Sequence, residues 1–396
     1  MPERRKRVLI LMADYGYGHR SAANAIAEAL RDEHGTECHV DIVNPLEDER
    51  APAFFRETQT NYDEIVRQRP NLYKLGDQIY DLPGAGNVIE GALTLLLFNV
   101  LRRILRRHWP DVVVCTYPTY QAILATIFAV QKRRVPVITV VTDLATVPRL
   151  WFHPIVARCL VPTQTVFDLA LEAGLPPEKV KITGIPVHPD LARNGDERAS
   201  LRAGLGWQPD VFTVLAIGSK RVANLVDALR VLNHSGLPLQ LAVVAGGDDE
   251  LFRELKETDW HREAYVYNFV SDMPSLLKAA DCVLGKAGGL TVTEALACGL
   301  PLILVDVIPG QETGNAEFVI DGNAGELARE PAETLEILCH WLERGGELYQ
   351  ARARSASQLG RPRAAHDVAQ VVWAAATRSI AAELPPPRKR WRPRRA

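Results

Sequence analysis

The sequence predicts an α/β protein built from two successive doubly wound units, and three observations carry that reading. Apolar runs of strand length alternate with helical patterns from the start of the chain, and the alternation restarts beyond a polar break near residue 190. Glycine-bearing turns leave the apolar runs at residues 14–21 and again at 285–289. A length of 396 residues favours two domains over one.

Composition sets the outer bounds. With 47% apolar and 24% charged residues the chain is of the ordinary globular kind. Cys38, Cys115, Cys159, Cys282, Cys298 and Cys339 form no C-x-x-C pair and no zinc spacing, so they read as reduced residues of a cytoplasmic protein, most of them in the core. The opening MPERRKRVLILMADYG has too short an apolar run for a signal peptide and reads as a first strand. No run of 18 apolar residues exists to span a membrane. The net charge of −2 conceals an asymmetry: residues 384–396 hold six Lys/Arg and no acid, which leaves the rest clearly acidic.

In chain order, residues 8–12 form a strand, 14–21 a glycine loop, 22–30 a helix and 40–43 a second strand. Gly16 and Gly18 fit the start of a dinucleotide fingerprint, but Ser21 stands where its third glycine belongs, against an NAD-type oxidoreductase. Residues 44–92 break the α/β rhythm. Residues 91–109 read as a helix, apolar first and then basic through Arg102, Arg103, Arg106 and Arg107. That helix is either structural with a solvated basic face or interfacial, meeting anionic lipid. Strands follow at 111–115, leading to Tyr117, at 136–141, leading to Thr142 and Asp143, and at 158–161. A linker rich in Pro, Asp, Asn and Gly occupies about residues 187–197. Strands then recur at 212–217 before Gly218, at 240–245 before Gly246, and from 264 to Phe269 and Val270. No P-loop, zinc motif or G-x-S-x-G elbow is present.

Residues 285–318, GKAGGLTVTEALACGLPLILVDVIPGQETGNAEF, combine strand end, glycine turn, helix, strand and polar loop. Gly288 and Gly289 let a backbone approach an anion closely, and the first turn of the following helix offers unpaired N–H groups to a diphosphate. Glu294, read as lying in that first turn, is suited to accept two hydroxyl hydrogen bonds, as from a ribose, and Gln311 and Glu312 are suited to a hexose. The stretch resembles the donor-binding signature of glycosyltransferase family 28. Gly288-Gly289-Leu290-Thr291 and Pro309-Gly310-Gln311-Glu312 bring it nearest to the branch of processive diacylglycerol glycosyltransferases and monogalactosyldiacylglycerol synthases.

The resemblance implies a GT-B fold, two Rossmann-like domains facing across a cleft. It places an acceptor domain at residues 1–187, a UDP-sugar domain at 198–360, a closing helix at 361–382 that crosses back to the first domain, and a basic Pro/Arg-rich tail at 383–396. It implies an inverting hexosyltransferase that needs no metal or cofactor, with the UDP-sugar as substrate and a diacylglycerol-type lipid as acceptor. His19 matches the family's histidine after its glycine loop and is the expected base, with Asp143 as rival base or as the partner holding the imidazole. Gly16, Gly18 and Tyr117, where relatives often carry His, belong to the acceptor side. The segment 71–77 resembles the branch's acceptor region. Gly218, Lys220, Gly246, Phe269, Val270, Gly288, Gly289, Leu290, Thr291, Glu294, Gln311 and Glu312 belong to the donor side. This chain keeps one glycine where the family has a run at 218, and Lys220 or Arg221 supplies charge there instead. A non-catalytic sugar-nucleotide-binding protein is the alternative. The lipid acceptor, the basic helix and the tail together imply a cytoplasmic protein attached peripherally to the inner face of the cell membrane, with no specific nucleic acid partner.

Overall fold

The computed structural model describes residues 4–60, 85–131, 133–193, 198–219, 222, 224–310 and 312–377. Lys220, Arg221, Gln311, the segment 71–77, part of the linker and the basic tail lie outside the described residues.

Two six-stranded sheets, parallel throughout, account for the alternation. The first contains β1 (Lys6–Leu11), β2 (Cys38–Val43), β3 (Val112–Cys115), β4 (Val137–Val140), β5 (Arg158–Val161) and β6 (Val180–Ile182) in the order β2-β1-β3-β4-β5-β6. The second contains β7 (Phe212–Ile217), β8 (Leu239–Val244), β9 (Ala264–Tyr267), β10 (Cys282–Lys286), β11 (Leu302–Asp306) and β12 (Gly325–Leu327) in the order β12-β11-β10-β7-β8-β9. The inner strands are largely buried on both faces, so these segments read as near-continuous apolar runs rather than alternating ones. Successive side chains still enter opposite layers: Leu9 and Leu11 of β1 join the core under the Ala85–His108 helix, while Val8 and Ile10 pack toward the Tyr17–His34 helix.

The strand order changes direction between β1 and β3 in the first sheet and between β7 and β10 in the second. Ligands of open parallel sheets sit at the carboxyl ends of strands beside such a switch. The loops that leave β1 and β3 carry Asp14–Ser21 and Thr116–Tyr117; those that leave β7 and β10 carry Gly218 and Gly288–Gly289. Both sets face one cleft.

Two features tie the domains together. The Ala364–Thr377 helix, which ends the described chain, packs through Ala365, Val368, Ala369 and Val372 into the first domain's core, with Trp373 stacked on His34 at 3.9 Å between centroids. In the other direction Leu144, from the loop after β4, is buried among second-domain side chains, as are Ile185 and Val187. The linker expected at 187–197 is thus partly core: Val187 and Leu191 are buried, and residues Pro189–Ala192 form a short 3-10 helix.

Candidate functional site

The cleft between the domains is a cavity of about 850 Å³ lined from both sheets. On the first-domain wall, β1 ends in a turn that Gly16 makes possible, since its φ of 81° lies in the left-handed region. Gly18 carries no such need: a Cβ there would meet nothing within 4 Å. His19 stands in the first turn of the Tyr17–His34 helix and lines the cavity. Its Nδ1 lies 2.7 Å from the hydroxyl of Thr142 at the end of β4. Its ring meets Tyr117 edge-on at 5.1 Å and lies 6.2 Å from Trp151. Tyr117 in turn stacks on Tyr15 at 5.5 Å. Burial pushes the His19 imidazole down to about 4, with a hydrogen bond to the Thr116 backbone and the Asp14 carboxylate pulling the other way. The ring is therefore neutral at physiological pH, the form able to accept a proton.

Asp143 does not hold the imidazole. Its Oδ2 accepts the indole N–H of Trp151 at 2.6 Å, and burial raises its carboxyl to about 6 against that hydrogen bond. The sequence pointed to the right loop but to its carboxylate; the residue bonded to His19 is the neighbouring Thr142. Both residues lie in the loop beyond β4, which ends at Val140, and their side chains take different partners there. Asp14 is committed as well. Arg20 and Asn44 bond it, and the Arg20 hydrogen bond, ahead of opposing desolvation, holds its carboxyl below the usual range.

The second-domain wall is mostly backbone. Gly246, at φ 67°, could not be replaced without collision, because a Cβ would lie 2.4 Å from the Gly218 carbonyl oxygen. A Cβ on Gly218 would lie 2.7 Å from Leu251. Phe269 is 70% exposed at the cavity edge beside Val270, an arrangement open to a planar ring. Gly288 precedes the Gly289–Ala297 helix, whose start has no side-chain cap, so its first N–H groups remain available in the cavity wall. Leu290 and Thr291 line the same mouth.

Glu294 is in the second turn of that helix, not the first as the sequence reading had it, since the helix begins at Gly289. It still lines the cavity, and among the described residues nothing is hydrogen-bonded to its carboxylate. Burial pushes that carboxyl up to about 7. Glu312, read as a hexose contact in a polar loop, is 3% exposed. Its Oε1 is bonded to the Lys286 ammonium and its Oε2 accepts the backbone N–H of Ile308 at 3.1 Å. Lys286, which the sequence reading left out of the donor side, thereby brings a held positive charge next to Gly288 and lines the cavity with it. Asn315 was also missed; its amide donates to the Ala287 carbonyl at 3.0 Å and fixes the turn that carries the glycines. The signal for Lys286 was its place at a strand end within the glycine motif. Thr142 and Asn315 gave none, because their partners lie far away or in backbone. Among the described residues no group of three His, Cys, Asp or Glu is arranged to hold a metal ion.

Residues 19–187 match the family described as "Monogalactosyldiacylglycerol (MGDG) synthase", and residues 205–358 match "Glycosyl transferases group 1". The chain is 32% identical to the chloroplastic monogalactosyldiacylglycerol synthase of Spinacia oleracea over 389 residues, spanning 94% of this chain and 73% of that one. It is also 32% identical to the chloroplastic monogalactosyldiacylglycerol synthase 3 of Arabidopsis thaliana, spanning 92% and 80% of the two chains. Among solved structures it is similar to MurG of Acinetobacter baumannii, with a TM-score of 0.58 at 17% identity over 93% of this chain and 99% of that one. At that identity the likeness speaks to fold, and the fold is GT-B.

Proposed function

Because the chain belongs to the MGDG synthase family of glycosyltransferases, we propose that it transfers a galactosyl residue from a UDP-sugar to the free hydroxyl of a diacylglycerol with inversion at the anomeric carbon. The observation that carries this reading is one cavity with an imidazole on one wall and an uncapped helix mouth on the other. The helix N–H groups and Lys286 suit the diphosphate, whose charge grows as it leaves. Glu294 suits the ribose, because a desolvated carboxylate without a partner gains most from two incoming hydroxyl donors. The exposed ring of Phe269 suits the base, and Glu312 reaches the hexose only through or beside Lys286.

His19 is the base. In the transfer step the acceptor oxygen bonds to the anomeric carbon on the face opposite the diphosphate. Its proton passes to the imidazole, and the bond from the anomeric carbon to the diphosphate oxygen breaks, its electron pair leaving with UDP. Tyr15 and Tyr117 shape the pocket wall around that hydroxyl.

The acceptor is a lipid, and among the described residues no helix is long and apolar enough to cross a membrane. Peripheral attachment to an anionic surface, at the cytoplasmic face of the cell membrane, follows from this reading. Exposed Leu95 and Leu96 lie on the same helix as exposed Arg106 and Arg107, while Arg103 is engaged with Asp48. Radiolabelled UDP-sugars offered singly with dispersed diacylglycerol test the whole proposal. Label from UDP-galactose in a monoglycosyl lipid is the expected result; hydrolysis alone, or label from another UDP-sugar only, would overturn it.

A further inference from the structure

The loop that leaves β4 is anchored on both sides of the cleft. Leu144, 5% exposed, sits in the second domain's core, and the Thr163 hydroxyl donates to its carbonyl at 3.2 Å. Trp151 is wholly buried in the first domain's core and holds Asp143 through its indole N–H. Between these anchors Thr142 is 8% exposed, with its carbonyl oxygen facing Gly289 of the donor loop and its hydroxyl 2.7 Å from His19 Nδ1. Among the described residues the Thr116 backbone is the ring's other hydrogen-bond partner.

A neutral imidazole has two tautomers, and only one leaves a lone pair on Nε2. We propose that Thr142 is a positioning residue for the transfer: its Oγ1 accepts the Nδ1–H of His19, so that Nε2 is the nitrogen that takes the acceptor's proton. The inference rests on the reading of His19 as base. A hydroxyl performs this task without the negative charge that would raise the imidazole's basicity, and the one carboxylate on the same loop is turned away to Trp151. Tyr117 and Trp151 limit the ring's rotation, so Nδ1 stays within reach of the hydroxyl.

Nitrogen-15 spectra of histidine-labelled wild-type enzyme at neutral pH, with the His19 signals identified by their loss in His19→Ala, read the tautomer directly. Hydrogen on Nδ1 is the expected result, and hydrogen on Nε2 would overturn the proposal whether or not any variant folds. In kinetics, Thr142→Val should lower kcat by about 10- to 100-fold with the KM for UDP-sugar nearly constant, and Thr142→Ser should recover most of the loss. Calorimetric binding of UDP verifies that both variants are folded. If Thr142→Val keeps near wild-type kcat while His19→Ala loses it, the positioning role is wrong and the base stands. If His19→Ala itself turns over normally, the base reading falls and the inference with it.

Discussion

The two walls of the cleft are made differently. The first-domain wall is side chain: an imidazole, two tyrosines and a threonine, held by hydrogen bonds and ring contacts and backed by the buried Trp151. The second-domain wall is largely backbone: glycines at 218, 246, 288 and 289 and a bare helix start, with Lys286 as its charge. A wall of positioned, desolvated side chains suits chemistry on a proton. A wall of backbone donors suits a ligand whose charge is spread over several oxygens. The difference teaches that loss of a side chain should hurt turnover on the first wall, and that gain of one should hurt binding on the second.

The largest expected effect breaks the comparison if it fails. His19→Ala should lower kcat by about 10²–10⁴-fold while UDP affinity, measured by calorimetry, stays near wild type. The pH profile separates the two possible bases. His19 is held down at about 4 and Asp143 is raised to about 6, and either base works only when deprotonated. At saturating donor, an acid limb in kcat/KM for the acceptor well below pH 6 is the outcome expected for His19. A limb near 6 that disappears in Asp143→Asn would transfer the role to Asp143.

Glu294 tests a second-wall carboxylate that has no hydrogen-bond partner among the described residues. Glu294→Gln should weaken UDP by about 1.5–3 kcal/mol, the range for hydrogen bonds to a charged group. Its carboxyl, raised to about 7 in the free protein, must be ionised to accept ribose hydroxyls, so its pKa falls on binding. UDP affinity should therefore drop as pH falls below 7, with proton release near neutrality that depends on the presence of Glu294. Calorimetry in buffers of differing ionisation enthalpy checks this, and identical proton release in wild type and Glu294→Gln would remove the assignment.

Two glycines sharpen the contrast at smaller cost. Gly246→Ala forces a Cβ to 2.4 Å from a carbonyl oxygen at positive φ and should destabilise the protein by about 1–3 kcal/mol or more. Gly18→Ala meets open space inside a helix and should hold or raise the melting temperature. Equal losses in both would mean that the glycines of the two walls do the same work. The smallest effect concerns the lipid side: Arg106→Ala and Arg107→Ala should each reduce binding to vesicles containing anionic lipid by about 1 kcal/mol, with no change on neutral vesicles. Flotation that ignores both charge and variant would remove this helix from the membrane surface.

Much of this was legible in the sequence, for physical reasons that apply residue by residue. Runs such as VLIL in β1 and LILVD in β11 are apolar because both faces of a parallel strand are covered, and glycine at 16 is demanded by a backbone angle that favours it. Such local constraints marked both sheets and the glycine motif, while His19 was singled out by the family resemblance and Glu294 by its place after the glycines. What tertiary structure alone decided are the pairings across strand ends. His19 meets Thr142 from 123 positions away because β3 separates β1 from β4 in the sheet, an order that no periodicity carries. Glu312 reads as a sugar contact in a polar loop, yet it is buried against Lys286, which comes to it from a neighbouring strand. Leu144 reads as an ordinary loop residue and becomes core only when the second domain closes over it. Backbone propensity and burial pattern are written along the chain; which loops share a cleft depends on strand order and domain apposition, and those are set by the packing of whole layers.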